Sequence, residues 1–206
     1  MYARSTTIMA EPSSLERGIA FVRDELMSDL TTIDGCAGLS LLVDRESGRS
    51  IATTSWHSQE AMRMSEDRVR AMRERYIATF GGTDATVDEW EVVVMHRDHR
   101  APQGARARAT YLHGDPATAD QSIDSFRAIL PVLEGFSGFC SASLLMNRDS
   151  GRAVSTVIYD SDAALAQTRE QANQLRTRTA GQTAAEILEV AEFELALAHL
   201  RVPKLV

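Results

Sequence analysis

The amino-acid sequence predicts an α+β fold in which two ferredoxin-like βαββαβ repeats form one intramolecular α/β barrel. Three observations lead to this prediction. The chain of 206 residues contains one long segment twice. Each copy has the hydrophobic periodicities of a strand, a helix, two strands, a helix and a strand, in that order. The strands are also apolar on both faces, which is typical of a sheet that is covered on both sides.

The internal repeat is the strongest of these observations. Residues 35–57 read GCAGLSLLVDRESGRSIATTSWH, and residues 138–160 read GFCSASLLMNRDSGRAVSTVIYD. Nine of the 23 aligned positions are identical at this offset of 103, far more than chance would give. The same offset pairs residues 87–91 with 190–194, and an offset of 104 pairs Glu11-Pro12 with Asp115-Pro116. We interpret the chain as a tandem duplication.

The first copy begins with a strand over residues 2–10 that ends before Pro12. Ser13 and Glu16 form a capping box that predicts the start of a helix. Its apolar stripe recurs every three or four residues and ends before Asp34-Gly35. The stripe consists of Leu15, Ile19, Val22, Leu26 and Leu30.

A hairpin follows this helix, with strands over residues 38–44 and 49–57. The intervening Arg45-Glu46-Ser47-Gly48 is typical of a tight turn with a positive φ at Gly48. Ser58 is predicted to cap a second helix that reaches about Phe80, and residues 87–96 are predicted as the last strand.

The second copy predicts the same order after a polar linker, residues 97–104. A strand covers residues 105–114, Asp115-Pro116 opens a helix, and a hairpin covers residues 141–160. A second helix starts at Ser161, and the last strand covers residues 186–199. The predicted domains are therefore residues 1–96 and 105–200.

The doubly apolar strands predict that each copy covers the open sheet face of the other, with the two sheets face to face. Leu41 and Val43 alternate with Leu42, so both faces of that strand are apolar. An eight-residue linker spans up to about 26 Å, which is long enough for this arrangement. The structural alternative is two separate domains in series, which would leave apolar sheet faces in water.

Composition and charge exclude several classes of function. The net charge of −7 argues against a nucleic-acid partner, which would need a clustered basic surface. No apolar run approaches the length of a membrane span, and the first residues lack the pattern of a signal peptide. We therefore expect a cytoplasmic protein with no membrane or nucleic-acid partner.

The metal-ligating residue types form no recognisable site in the sequence. Cys36 and Cys140 occur at neighbouring positions of the repeat and are interpreted as two buried thiols. The five histidines are scattered, without the spacing of metal ligands on a helix. No catalytic triad or phosphate-binding loop pattern is present. We expect no metal and no cofactor.

The chain resembles the antibiotic biosynthesis monooxygenase-like proteins of the dimeric α/β-barrel superfamily. The resembling residues are Ile51-Ala52-Thr53-Thr54-Ser55-Trp56, then Ser58-Gln59-Glu60-Ala61-Met62, and the strand Val87-Asp88-Glu89-Trp90-Glu91-Val92. The second copy matches more loosely, and the resemblance covers nearly the whole chain. Members usually reach the barrel by dimerisation, whereas this chain would carry both halves. The resembling residues indicate the fold of this family more than they indicate a catalytic reaction.

The resemblance also suggests two activities. Some members oxygenate polyketide-like phenols without metal or flavin, and others degrade haem. The haem degraders use an Asn on the first strand, a Trp on the third strand and a His at the second helix. Trp56 is similar to that Trp, but neither first strand has an Asn and neither second helix has a His. The sequence therefore argues against haem degradation.

Two hypotheses of function remain from the sequence. In the first, the protein is a cofactor-independent monooxygenase of an aromatic or polyketide-like molecule. His57 would then be the catalytic base, and Trp56, Tyr76 and Trp90 would bind the ligand. In the second, it is a non-catalytic barrel that binds a small apolar or aromatic ligand or has a structural role, with these aromatic residues filling the core. Self-association beyond the fused pair is compatible with both.

The two halves are not expected to be equivalent, since His57 is replaced by Asp160 in the second copy. We predict that a ligand occupies the first half and that the second half is mainly a scaffold. The candidate ligand-binding residues in the second half are Tyr111, His113 and Tyr159. A larger cavity around these three residues would reverse the assignment.

Overall fold

The computed structural model describes residues 1–200 and contains eight strands joined into a closed barrel. The strands are β1 (Tyr2–Met9), β2 (Cys36–Val43), β3 (Arg49–Trp56), β4 (Thr83–Arg97), β5 (Arg106–His113), β6 (Phe139–Asn147), β7 (Arg152–Tyr159) and β8 (Glu186–Leu200). Their hydrogen-bonded order is β1-β3-β2-β8-β5-β7-β6-β4. The predicted fold class, two ferredoxin-like repeats that form one α/β barrel, is confirmed.

Within residues 1–200, seven α-helices connect the strands. They are α1 (Leu15–Phe21), α2 (Met27–Thr31), α3 (Gln59–Met64), α4 (Glu66–Thr79), α5 (Ala119–Glu134), α6 (Asp162–Gln167) and α7 (Arg169–Gln182). A π-helical turn at Val22–Leu26 joins α1 to α2, so the single helix predicted here is interrupted. In the second half, α5 runs without interruption.

Local sequence explains where the hairpins turn and where the second helices begin. Gly48 and Gly151 have φ values of 79° and 70°, which favour glycine. The added Cβ of any other residue at Gly48 would meet the carbonyl oxygen of Ala10. Ser58 and Ser161 accept hydrogen bonds from the backbone N–H groups of residues Ala61 and Ala164, as expected of N-caps.

The chain divides into two compact units. The first consists of Met1–Trp90 with the end of β8 from Glu194, and the second of Glu91–Phe193. Because β4 and β8 each contribute residues to both units, the units differ from the predicted domains 1–96 and 105–200. Strand β4 also begins earlier than predicted, directly after Gly81-Gly82 ends α4.

Each unit has its own hydrophobic core between its helices and one face of its strands. In the first unit, the stripe Leu15, Ile19, Val22, Leu26 and Leu30 packs on residues of β2 and α4. In the second unit, α5 contributes Ile123, Phe126, Leu130 and Leu133. No helix within residues 1–200 is long and apolar enough to cross a membrane.

Candidate functional site

The second unit contains a cavity between α5, α7 and the strands β5, β6 and β7. Its volume is about 110 Å³, whereas the equivalent space in the first unit measures about 30 Å³. This volume is of the order of the roughly 150 Å³ apolar cavity that binds one benzene ring. The larger cavity therefore has room for about one aromatic ring.

Two substitutions between the copies account for this difference. In the first unit, Tyr76 and Phe80 of the second-helix region are almost completely buried, and their ring centroids lie 4.7 Å apart. At the offset of 103, the equivalent residues are Thr179 and Thr183, and both line the cavity. Two aromatic rings are therefore replaced by two small side chains, which leaves space that the second unit does not fill.

The walls of the cavity are mainly apolar. Ala153 on β7 stands where the first copy has Ser50, and Ala172 on α7 where it has Val69. Each of these changes removes atoms from the wall. The larger apolar residues that line the cavity are Leu112, Phe126, Ile129, Leu133, Leu144, Met146, Val157 and Leu175.

A buried cluster around Arg108 of β5 contributes polar groups to the cavity lining. Its Nε and Nη2 atoms donate to Oε1 of Glu192 at 3.0 and 2.9 Å. Nη2 also donates to the carbonyl oxygen of Leu165 at 2.7 Å, and Nη1 to the hydroxyl of Tyr159 at 3.3 Å. The guanidinium of Arg108, which is only 4% exposed, is thus held in one orientation.

Arg176 of α7 is a second cation in the cavity lining. It is half-buried and donates a hydrogen bond to Oδ1 of Asn173 at 3.0 Å. Burial and then the positive charge of Arg108 lower the pKa of Arg176, partly offset by Tyr159 and Glu192. An arginine with a lowered pKa still carries its proton at neutral pH. Within residues 1–200, no carboxylate forms an ion pair with Arg176.

The sequence is closely similar to two proteins of Mycobacterium tuberculosis, the uncharacterized proteins Rv2557 and Rv2558. Each is 51% identical to this chain over its whole length, and the match covers 92% and 88% of the two relatives. The chain belongs to the family of these proteins. A search of protein-family models gave no match.

Solved structures of other proteins share the fold at low sequence identity. A candidate monooxygenase of Lactobacillus acidophilus has a TM-score of 0.70 at 10% identity, over 97% of this chain and 96% of that protein. An anthrone oxidase-like protein has a TM-score of 0.69 at 17% identity, over 98% and 94%. LmHde, a heme-degrading enzyme of Listeria monocytogenes, has a TM-score of 0.52 at 11% identity, over 94% and 99%. The chain therefore shares the fold of these three proteins.

The residues predicted to form a site in the first half do not surround an open space. Trp56 is fully buried and donates to Oγ1 of Thr54 at 3.1 Å, and Trp90 donates to Oγ of Ser5 at 2.8 Å. Tyr76 lines the small space of the first unit and itself fills much of it. His57 is exposed at the end of β3 and lines neither cavity.

Only one of the three candidate ligand-binding residues of the second half lies in the cavity wall. Tyr159 lines the larger cavity, whereas Tyr111 and His113 do not. Burial raises the pKa of Tyr159, and hydrogen bonding to Thr168 and the charge of Arg108 oppose this shift, so the phenol is neutral at physiological pH. The larger cavity lies in the second half, so the cavity volumes favour a ligand there rather than in the first half, where the sequence predicts it.

Sequence reasoning missed the residues that shape the cavity, Thr179 and Thr183, and the cation Arg176. Comparison of the two copies at the offset of 103 was the signal that would have identified them, because Tyr76 and Phe80 become threonines there. Among residues 1–200, no group of three or more His, Cys, Asp or Glu side chains is arranged to hold a metal ion.

Proposed function

We propose that this protein binds a small aromatic or polyketide-like molecule in the cavity of its second half. The observation that carries the proposal is the replacement of Tyr76 and Phe80 by Thr179 and Thr183, which leaves an apolar space where the first half is filled. Sites for small molecules are typically concave and mainly apolar, with a few polar groups that fix the orientation of the ligand. Here Arg108, Tyr159 and Arg176 are such groups.

The cavity favours a ligand with an apolar body and a polar substituent. Most of its walls are aliphatic or aromatic, and Met146 adds a polarisable sulfur next to which aromatic rings pack well. A ligand with no polar substituent would leave most N–H groups of Arg176 without a hydrogen-bond partner beside the ligand, which is unfavourable.

Binding of 1-naphthol, followed by isothermal titration calorimetry, tests this proposal. We expect saturable binding with one site per chain, because the cavity has room for about one aromatic ring. The Thr179→Phe variant should bind at least tenfold more weakly. Thr177→Phe is the matched control, since Thr177 is exposed on the same helix. No saturable binding, or equal binding by the Thr179→Phe variant, would contradict the proposal.

A cofactor-independent oxygenase is the second candidate function. Two features support it: the fold shared with the anthrone oxidase-like protein, and the two arginines that line the cavity. A nearby positive charge lowers the pKa of a bound phenol and favours the electron-rich phenolate, which reacts more readily with oxygen. Oxygen uptake with hydroquinone, a phenol with a single aromatic ring, measures this activity, and turnover should fall in the Arg108→Gln and Arg176→Gln variants.

The His57→Ala variant distinguishes two versions of the oxygenase proposal. The sequence predicts His57 as the base, and a loss of turnover in this variant would support that role. Its exposed position outside the cavity favours unchanged turnover, with the arginines stabilising the phenolate instead. No oxygen uptake with wild-type protein would leave ligand binding as the function. The predicted cytoplasmic location and self-association stay predictions.

A further inference from the structure

The two halves differ in charge around equivalent arginines. Glu66 opens α4 in the first half, and the residue at the same position of α7 in the second half is Arg169. A carboxylate is therefore replaced by a guanidinium at a position beside the cavity arginines. This reversal changes what the remaining arginines can bind.

In the first half, the arginines are neutralised within the protein. Arg4 forms ion pairs with Glu66 at 2.8 Å and with Glu89 at 2.7 Å. Arg73, the equivalent of Arg176, forms an ion pair with Glu66 at 3.4 Å. The four equivalent positions thus hold two cations and two carboxylates, so their charges balance.

In the second half, the same four positions hold three cations and one carboxylate. Glu192 accepts hydrogen bonds from both Arg108 and Arg169, at 2.9 and 2.7 Å for the Nη2 atoms. Arg176 has no equivalent of the Glu66 partner, although it lines the cavity. An anion bound beside Arg176 would supply the charge that Glu66 supplies in the first half.

We propose that the second-half cavity selects small aromatic carboxylates and that Arg176 binds the carboxylate. The inference rests on the proposed ligand-binding function and specifies the class of its ligand. A guanidinium and a carboxylate match as a planar pair with two parallel hydrogen bonds, which makes this pairing stronger and more directional than a contact with a neutral group.

Arg176 is a better ligand-binding group than Arg108 because more of its donors are free. All three nitrogens of the Arg108 guanidinium already donate, to Glu192, Tyr159 and the carbonyl of Leu165. Arg176 donates to Asn173 alone among residues 1–200. Since a guanidinium has about five N–H groups, most of those on Arg176 remain available. Arg108 contributes charge and holds Tyr159 in position.

The test compares trans-cinnamate with trans-cinnamamide. The two compounds have the same shape and the same single phenyl ring, and they differ in charge. We expect the wild-type protein to bind cinnamate about 10- to 100-fold more tightly than cinnamamide in calorimetric titrations at low salt, as is typical of a charge-assisted pair.

Three variants test whether the pairing of Arg176 with the carboxylate causes this preference. Arg176→Gln should reduce the cinnamate-to-cinnamamide ratio to about one without abolishing cinnamamide binding, and Arg176→Lys should restore part of it. Arg169→Glu should also reduce the ratio, because it introduces the carboxylate of the first half. Arg73→Gln is the matched control and should keep the wild-type ratio.

The outcomes separate this inference from the proposed function. Equal binding of the two compounds by wild-type protein, or an unchanged ratio in Arg176→Gln, overturns the carboxylate preference while ligand binding stands. A loss of the ratio in Arg73→Gln but not in Arg176→Gln would place the anion in the first half and also overturn the inference. If neither cinnamate, cinnamamide nor 1-naphthol binds, the proposed function itself is wrong.

Discussion

Filling part of the cavity with one side chain should weaken ligand binding at least tenfold and stabilise the protein. Phenylalanine at Thr179 adds about four non-hydrogen atoms, which fill a large part of a space with room for about one aromatic ring. The side chain of Thr179 donates only to the carbonyl oxygen of Leu175 one turn earlier, so its loss leaves no buried donor without a partner. Filling a cavity of this kind typically raises the free energy of unfolding by about 0.5–2 kcal/mol.

The reciprocal change should open the first half. Tyr76→Thr removes about five non-hydrogen atoms from a side chain that is 1% exposed, and it also removes the hydrogen bond of 2.8 Å from the Tyr76 hydroxyl to Ser50. Truncation of a buried aromatic residue costs about 3–5 kcal/mol. For a chain of this size, each kcal/mol shifts Tm by about 2–4 °C, so we expect a fall of roughly 6–20 °C.

Differential scanning calorimetry and 1-naphthol titration measure both effects. The Thr179→Phe variant should melt roughly 1–8 °C higher and bind at least tenfold more weakly. A lower Tm for Thr179→Phe would show that no room exists at this position. A Tyr76→Thr variant as stable as wild type would show that Tyr76 does not fill the first half, and the reasoning about the two copies would fail.

Three further predictions concern buried and charged groups. Tyr76→Phe should lower the free energy of unfolding in urea by about 1–3 kcal/mol, because the buried Ser50 hydroxyl loses its partner, and adding Ser50→Ala should recover part of the loss. Burial raises the pKa of the Cys140 thiol to about 11, so in a Cys36→Ser variant iodoacetamide should react slowly at pH 8 and faster as the pH approaches that value. The protonated Cys140 thiol contributes fully to the free energy of unfolding below its unfolded pKa of about 8.5. This contribution is lost as the pH rises through the pKa of the thiol in the folded protein. Arg176→Met should raise Tm by roughly 1–4 °C, because it removes a half-buried cation near Arg108, and it should abolish the preference for cinnamate. A fall in Tm would show that internal contacts such as the hydrogen bond to Asn173 outweigh the cost of burying this cation.

The sequence alone determined the elements and their order because these depend on local interactions. The apolar stripe from Leu15 to Leu30 requires a helix, and Ser58 and Ser161 cap the next helices in both copies. Gly48 and Gly151 mark the hairpin turns through their positive φ values. Each of these signals depends on residues that are close along the chain, and the internal repeat shows the signals a second time. Together with the resemblance to known barrels, these signals predicted the fold class.

The tertiary structure alone decided where the cavity lies and which residues line it. The sequence is equally consistent with Tyr76 and Trp56 as core residues and as ligand-binding residues, because it does not show whether space remains beside them. That space depends on the summed volumes of side chains from α5, α7 and three strands. The polar residues Arg108, Tyr159 and Arg176 likewise come from β5, β7 and α7, far apart in the chain. Side-chain volume and charge compensation are properties of neighbours in space, so only the folded chain shows that the second half is open and that Arg176 lacks the carboxylate present in the first.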